Sequence, residues 1–137
     1  MSADAITNTK RAAERLLVSI NSTPTAFEGV TFTAPAGLYQ RCQFVVSPPT
    51  DPVLAPGYHR ENIQFQVFVV NDKGVGTMEL YEQAGKIRDA FYKGKTMIEQ
   101  GTQIRILRTA QIASVIPLQE NLIMPVFIQL SVDEYKN

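Results

Sequence analysis

Residues 61–92 restrict what this chain can fold into more than any other stretch. From Glu61 the residues alternate. Ile63, Phe65, Val67 and Val69 fall on one side, and Gln64 and Gln66 begin the other. This is the period of a strand with one buried face. Asn71-Asp72-Lys73-Gly74 follows, and Asn, Asp and Gly accept the backbone angles of a tight reversal. The spacing then lengthens to that of a helix, with Leu80, Ala84, Ile87 and Phe91 on one side and Glu79, Glu82, Lys86 and Asp89 elsewhere. A strand feeding an amphipathic helix is a folding unit, not a reaction centre.

The flanking segments extend the same pattern. In residues 1–21, Ile6, Ala13, Leu16, Leu17 and Ile20 share a face opposite Lys10, Arg11, Glu14 and Arg15, which predicts an N-terminal helix lying on a sheet. Pro24 and Pro35 bracket a short extended piece with Phe27, Val30 and Phe32. Leu38–Val46 reads as a strand with Cys42, Phe44 and Val46 on one face and Tyr39, Arg41 and Gln43 on the other. Further strands are expected at Thr102–Arg108, Gln111–Leu118 and Leu122–Val132, with a polar tail from Asp133. Pro117 and Pro125 should sit where no ladder donor is needed, near an edge or a bulge.

Together these segments predict one α+β domain over residues 1–137. Its core is a mainly antiparallel sheet of about four to five strands, with two helices packed on one face. Phe68, Val70 and Phe127 then point away from the helices, and apolar residues on a face free to be wetted suggest a partner surface. Residues 47–60 hold half of the chain's eight prolines. Proline lowers the entropy that a loop loses on ordering. The stretch reads either as an arm reaching a neighbouring subunit or as a surface excursion between strands.

The side-chain inventory narrows the function. Lys and Arg total 13 and Asp and Glu total 13, so the formal net charge is zero. That speaks against a general nucleic-acid binder and leaves little charge repulsion to oppose self-association. One cysteine, Cys42, cannot form an internal disulfide, which fits a reducing compartment. The first residues lack the basic and apolar regions of a signal peptide, and no apolar run reaches the roughly 20 residues of a membrane span. One His and one Cys cannot supply a structural zinc site, and Asp72 with its glycines departs from calcium-loop spacing. Gly74-Val75-Gly76 lacks the rest of a phosphate-loop pattern. His59-Arg60-Glu61 has no nucleophile or second carboxylate beside it in sequence, so an interfacial ion pair or solvent exposure is the simpler reading. Catalytic, cofactor and metal sites are all expected to be absent.

Four segments taken in order resemble the bacteriophage tail terminator (tail completion) family of long-tailed phages. They are Pro24–Gly37, the strand around Leu38–Phe44, Tyr58–Val67 leading through Gly74-Val75-Gly76 to a helix ending Ile87-Arg88-Asp89-Ala90-Phe91, and the final Pro125-Val126 strand. The resemblance implies a small α+β subunit that assembles as a ring, typically a hexamer. Such a ring caps the tail tube, halts its polymerisation and offers a surface to head-completion proteins. DNA passes through its lumen only as cargo. The implied partners are other copies of the chain, the major tail tube protein and a head-completion or connector protein, with no membrane. The implied location is the head-proximal end of the virion tail, after synthesis in the host bacterial cytoplasm. A head-to-tail ring needs two different complementary patches on each subunit. The candidate interface residues are Phe27, Phe32, Arg41, Pro49, Tyr58, Arg60, Glu61, Phe68 and Phe127. One patch is assigned to the loop Pro48–Arg60 and the other to Phe27–Phe32. The alternatives are a head-completion, neck or tail-tube subunit, or a domain that binds or transforms a small ligand.

Overall fold

The computed structural model describes residues 2–20, 23–54 and 56–135, with side chains from Ala5 onward. Met1 and Asn21 of the expected helix, Ala55 of the loop and the last two residues of the tail lie outside the described residues. The elements are α1 (Ser2–Ile20), β1 (Thr25–Ala26), β2 (Tyr39–Val46), β3 (Tyr58–Asp72), α2 (Met78–Ala90), β4 (Thr96–Glu99), β5 (Thr102–Ile106), β6 (Gln111–Ile112), β7 (Ile116–Leu118) and β8 (Asn121–Tyr135).

The α+β expectation and the placement of both helices on one face agree with the structure. The strand count does not: among the described residues there are eight strands rather than four or five. They run in the order β1-β2-β3-β8-β5-β4, and β6 and β7 also pair with β8. Antiparallel pairing dominates, but β1 lies parallel to β2, so the sheet is mixed. The two long strands, β3 and β8, pair along their whole length from Tyr58↔Tyr135 to Asp72↔Asn121. The expected polar tail is therefore largely strand, because β8 continues through Tyr135.

Alternation along β3 and β8 sends Phe65, Val67, Val69, Met124, Val126 and Ile128 to one face, each fully buried. There they meet Ala13 and Leu17 of α1 and Leu80, Ala84 and Ile87 of α2. Phe65 stacks on Phe44 at 4.6 Å between ring centroids and meets Phe91 at 5.6 Å. Two polar links fix the layers. Gln83 of α2 donates to Gln40 of β2 (3.0 Å), which donates to Thr25 of β1 (2.9 Å). Arg15 of α1 holds the buried Glu99 of β4 through both carboxylate oxygens, at 2.6 and 3.1 Å. Cys42 sits in the same core, where burial and then the nearby Glu14 charge push its thiol up to about 12. It is a small hydrophobe here, since only the thiolate is nucleophilic.

Pro125 lies within the sheet rather than at its edge. Its carbonyl accepts the Ala113 amide (2.9 Å) on the side away from β3. In an antiparallel ladder a residue's N–H and C=O point the same way, so its missing donor faces the gap between the end of β6, opposite Val126, and the start of β7, opposite Ile123. The hairpin from β4 to β5 turns on Gln100 and Gly101, both with positive φ (48° and 83°), as a two-residue reversal between twisted strands requires. Among the described residues no helix is long and apolar enough to cross a membrane.

Candidate assembly surface

The face of the sheet opposite the helices divides into three zones. At one end lie Phe32, Tyr39, Arg41 and Phe68. Residues 27–30 and Phe32 line a small cavity of about 270 Å³ together with Arg41 and Phe68, and the Phe32 ring lies 5.7 Å from the Tyr39 ring. Tyr39 is consequently buried, although it occupies the outer register. In the middle is a glutamine ladder. Gln43 donates to Gln66 (2.6 Å), and Gln66 donates to Gln64 (2.5 Å). Phe127 stands opposite Gln66 and is half-buried.

The far end is charged. Asp133 accepts hydrogen bonds from Tyr58 (2.9 Å) and from Arg60 Nε (2.7 Å), and it pairs with Arg105 through its second oxygen. Tyr58 stacks on Tyr135 at 4.7 Å. Burial alone would raise the Asp133 carboxyl. Hydrogen bonds from Arg60 and Tyr58 and the charges of Arg60 and Arg105 outweigh burial and hold the carboxyl below its ordinary value of 3.8. A depressed carboxylate contributes stability that is present above its unfolded pKa and is lost as the pH falls through its folded value. Asp133→Asn should therefore cost about 1 kcal/mol at neutral pH, a figure reduced because both arginines are partly solvated. The difference from wild type should shrink as the pH falls below the ordinary carboxylate value of 3.8 and close once the folded state is protonated as well. Urea denaturation across that range reads the effect; a deficit that persists undiminished in acid would contradict it.

Two apolar features project from the other parts of the surface. The loop between β2 and β3 is pinned at its base, where Thr50 and Arg60 exchange backbone hydrogen bonds of 2.8 Å and Ser47 donates to Asn62. Beyond that pin, Val53 is 51% exposed and Leu54 103%, so among the described residues nothing shields the Leu54 side chain. Pro48, Pro49, Pro52 and Pro56 are exposed around it and limit the loop's freedom. The second feature is a shallow groove of about 430 Å³ between α1 and the segment after β1. It is lined by Lys10, Glu14, Arg15, Val18, Phe27, Glu28 and Val30. Lys10 pairs with Glu28 at 3.5 Å on its rim, and Val18 and Val30 are more than half exposed.

The nine sequence candidates thus separate. Phe32, Arg41 and Phe68 gather at one end of the outer face, Tyr58 and Arg60 at the other, and Phe127 lies between them. Phe27 lines the groove, and Pro49 lies in the loop base. Glu61 belongs with none of these: it is 4% exposed on the helix-covered face and contacts His59. Its phase with Ile63 and Phe65 already carried that signal. Val18, Leu54, Arg105 and Asp133 were not singled out from sequence. Leu54 was legible as an apolar residue inside a proline-rich loop; Arg105 and Asp133 meet only through strand pairing.

A family model described as "Phage tail terminator protein" matches residues 7–129. No curated protein matches the chain. One solved structure, 21% identical, superposes with a TM-score of 0.74 over 100% of this chain and 99% of its own. Another, titled as the virion of a native gene transfer agent particle, is 14% identical with a TM-score of 0.67 over 94% of this chain and 97% of its own. At those identities both likenesses are likenesses of fold.

Proposed function

The chain belongs to the phage tail terminator family, a structural component of the virion tail, and from that premise we propose that it closes into a ring on the end of the tail tube. The ring, of six copies, stops tube polymerisation and presents a surface for joining to the head. Its partners are then further copies of the chain, the tail tube protein below and a head-completion protein above, with DNA passing through the lumen. A role built on fit between surfaces requires no catalysis or cofactor.

The observation that carries this reading is the pair of unlike apolar features on one subunit. The Val53-Leu54 tip is convex, and the Val18-Phe27-Val30 groove is concave. A contact between unlike patches is head-to-tail, and it closes into a ring when the rotation between neighbours closes. The outer sheet face, with Phe68 and Phe127 half-buried, leaves a separate surface for the tube or the head. Light scattering and electron microscopy of the purified protein, alone and with tail tubes, test the proposal. A single ring seated on tube ends is expected. Strict monomers under both conditions would overturn it, and long tubes from the protein alone would reassign it as a tube subunit.

A further inference from the structure

We propose that His59, Glu61 and Glu134 form a divalent transition-metal site, with Zn²⁺ as the fitting ion, at the base of the projecting loop. His59 and Glu61 are alternate residues of β3 and so share a face, while Glu134 stands directly across from His59 on β8. Two alternate positions on one strand and one across from them is how a sheet aims three side chains at one point. One donor atom from each residue lies within 4.8 Å of the others. His59 Nε2 is 2.8 Å from Glu61 Oε2 and 3.8 Å from Glu134 Oε2. Metal–nitrogen and metal–oxygen bonds of about 2.0–2.2 Å put neighbouring tetrahedral ligands about 3.4 Å apart, so small side-chain adjustments suffice.

The surroundings suit an ion. The Glu61 side chain is 5% exposed, Glu134 12% and His59 22%. Two carboxylates this close repel; His59 faces both of them, and a dication held by all three side chains would offset that repulsion more fully. The imidazole favours zinc and its transition-metal neighbours over Mg²⁺ and Ca²⁺, which prefer oxygen donors throughout. With three protein ligands, a water completes the shell on the solvent side. Glu134 also lines an open cavity of about 910 Å³ beside α1, which gives an ion a route in. Counting His and Cys along the chain argues against a metal; only the β3–β8 register brings the second carboxylate to the histidine. The bound ion would tie the start of β3, just past the loop, to the end of β8.

Arg11 lines the same cavity, so an Arg11–Glu134 ion pair is the competing arrangement, and it predicts no metal uptake. The test is isothermal titration of Zn²⁺ into chelator-stripped, untagged full-length protein, with thermal melts alongside. One ion per chain is expected, with micromolar or tighter affinity and a raised Tm. His59→Gln and Glu134→Gln should each weaken binding at least tenfold and abolish the Tm shift, and Glu134→Gln avoids disturbing the buried Glu61. Co²⁺ in place of zinc should give the visible absorption of a low-coordinate nitrogen–oxygen site. Absence of saturable binding in wild type, or binding unchanged in both variants, overturns the proposal. Every readout is on the free chain, so the result is independent of ring formation.

Discussion

Phe65→Ala should destabilise the chain by about 3–5 kcal/mol, the usual cost of emptying a buried phenylalanine site. Phe65 has no exposed surface, lies on the central strand and contacts rings on two other parts of the fold. Phe44 comes from β2, and Phe91 closes α2, so the deletion leaves a cavity where strand, neighbour and helix meet. Collapse into it would require all three to move. A domain of this size has only about 5–15 kcal/mol in total, so the loss is a large fraction of what holds it folded. With a urea slope of about 1–3 kcal/mol per molar, the denaturation midpoint should fall by more than 1 M. Phe127→Ala is the matched control. It removes the same side chain from the half-buried outer face and should cost no more than about 1.5 kcal/mol. Equal midpoint shifts for the two variants would mean that the helices do not cover the face assigned to them.

That contrast was written in the sequence, and the reason is local. Phe65 shares its phase with Ile63, Val67 and Val69, and Phe127 is out of phase with Val126 and Ile128. Period alone sorts them onto opposite faces. The reversal after β3 and the stripe Leu80-Ala84-Ile87 were legible on the same grounds, because neighbours within a few residues decide them, although Asn71 and Asp72 still belong to the strand and the turn begins at Lys73. The strand expected at Thr102–Arg108 is β5 (Thr102–Ile106), but its neighbours at 96–99 and 111–118 were not legible. β4 has only four residues, and one of its two inward positions is Glu99, which is tolerated because Arg15, remote in sequence, reaches it. The expected strand Gln111–Leu118 is two short pieces, β6 and β7, interrupted where they meet the donorless stretch of β8 at Pro125. Asp133 looked like the start of a polar tail because its partners, Tyr58, Arg60 and Arg105, come from other strands. Glu134 looked unremarkable for the same reason. Long-range pairing converts scattered polar residues into clusters, and no period in the sequence records it.

Leu54→Asp should abolish self-assembly while leaving the fold intact. Leu54 is fully exposed at the loop tip, so replacing it removes no contact within the chain, and surface changes of that kind usually stay within about 0.5 kcal/mol of wild type. Melting temperature and circular dichroism should therefore be unchanged. In a head-to-tail ring the same side chain becomes a buried anchor. Burying a leucine contributes about 1.5–3 kcal/mol, and an aspartate in its place also brings an unpaired charge into the contact. A loss near 3 kcal/mol weakens each junction on the order of a hundredfold. In a closed ring every junction carries the same loss, so the effect on assembly is compounded. Val18→Asp tests the other side of the junction, since it alters the groove lining at a position 52% exposed in the free chain. Both variants should sediment as monomers and fail to cap tail tubes. If Leu54→Asp assembles like wild type, the loop is not a junction. If it fails while Val18→Asp assembles normally, the loop docks elsewhere and the groove is not its receptor.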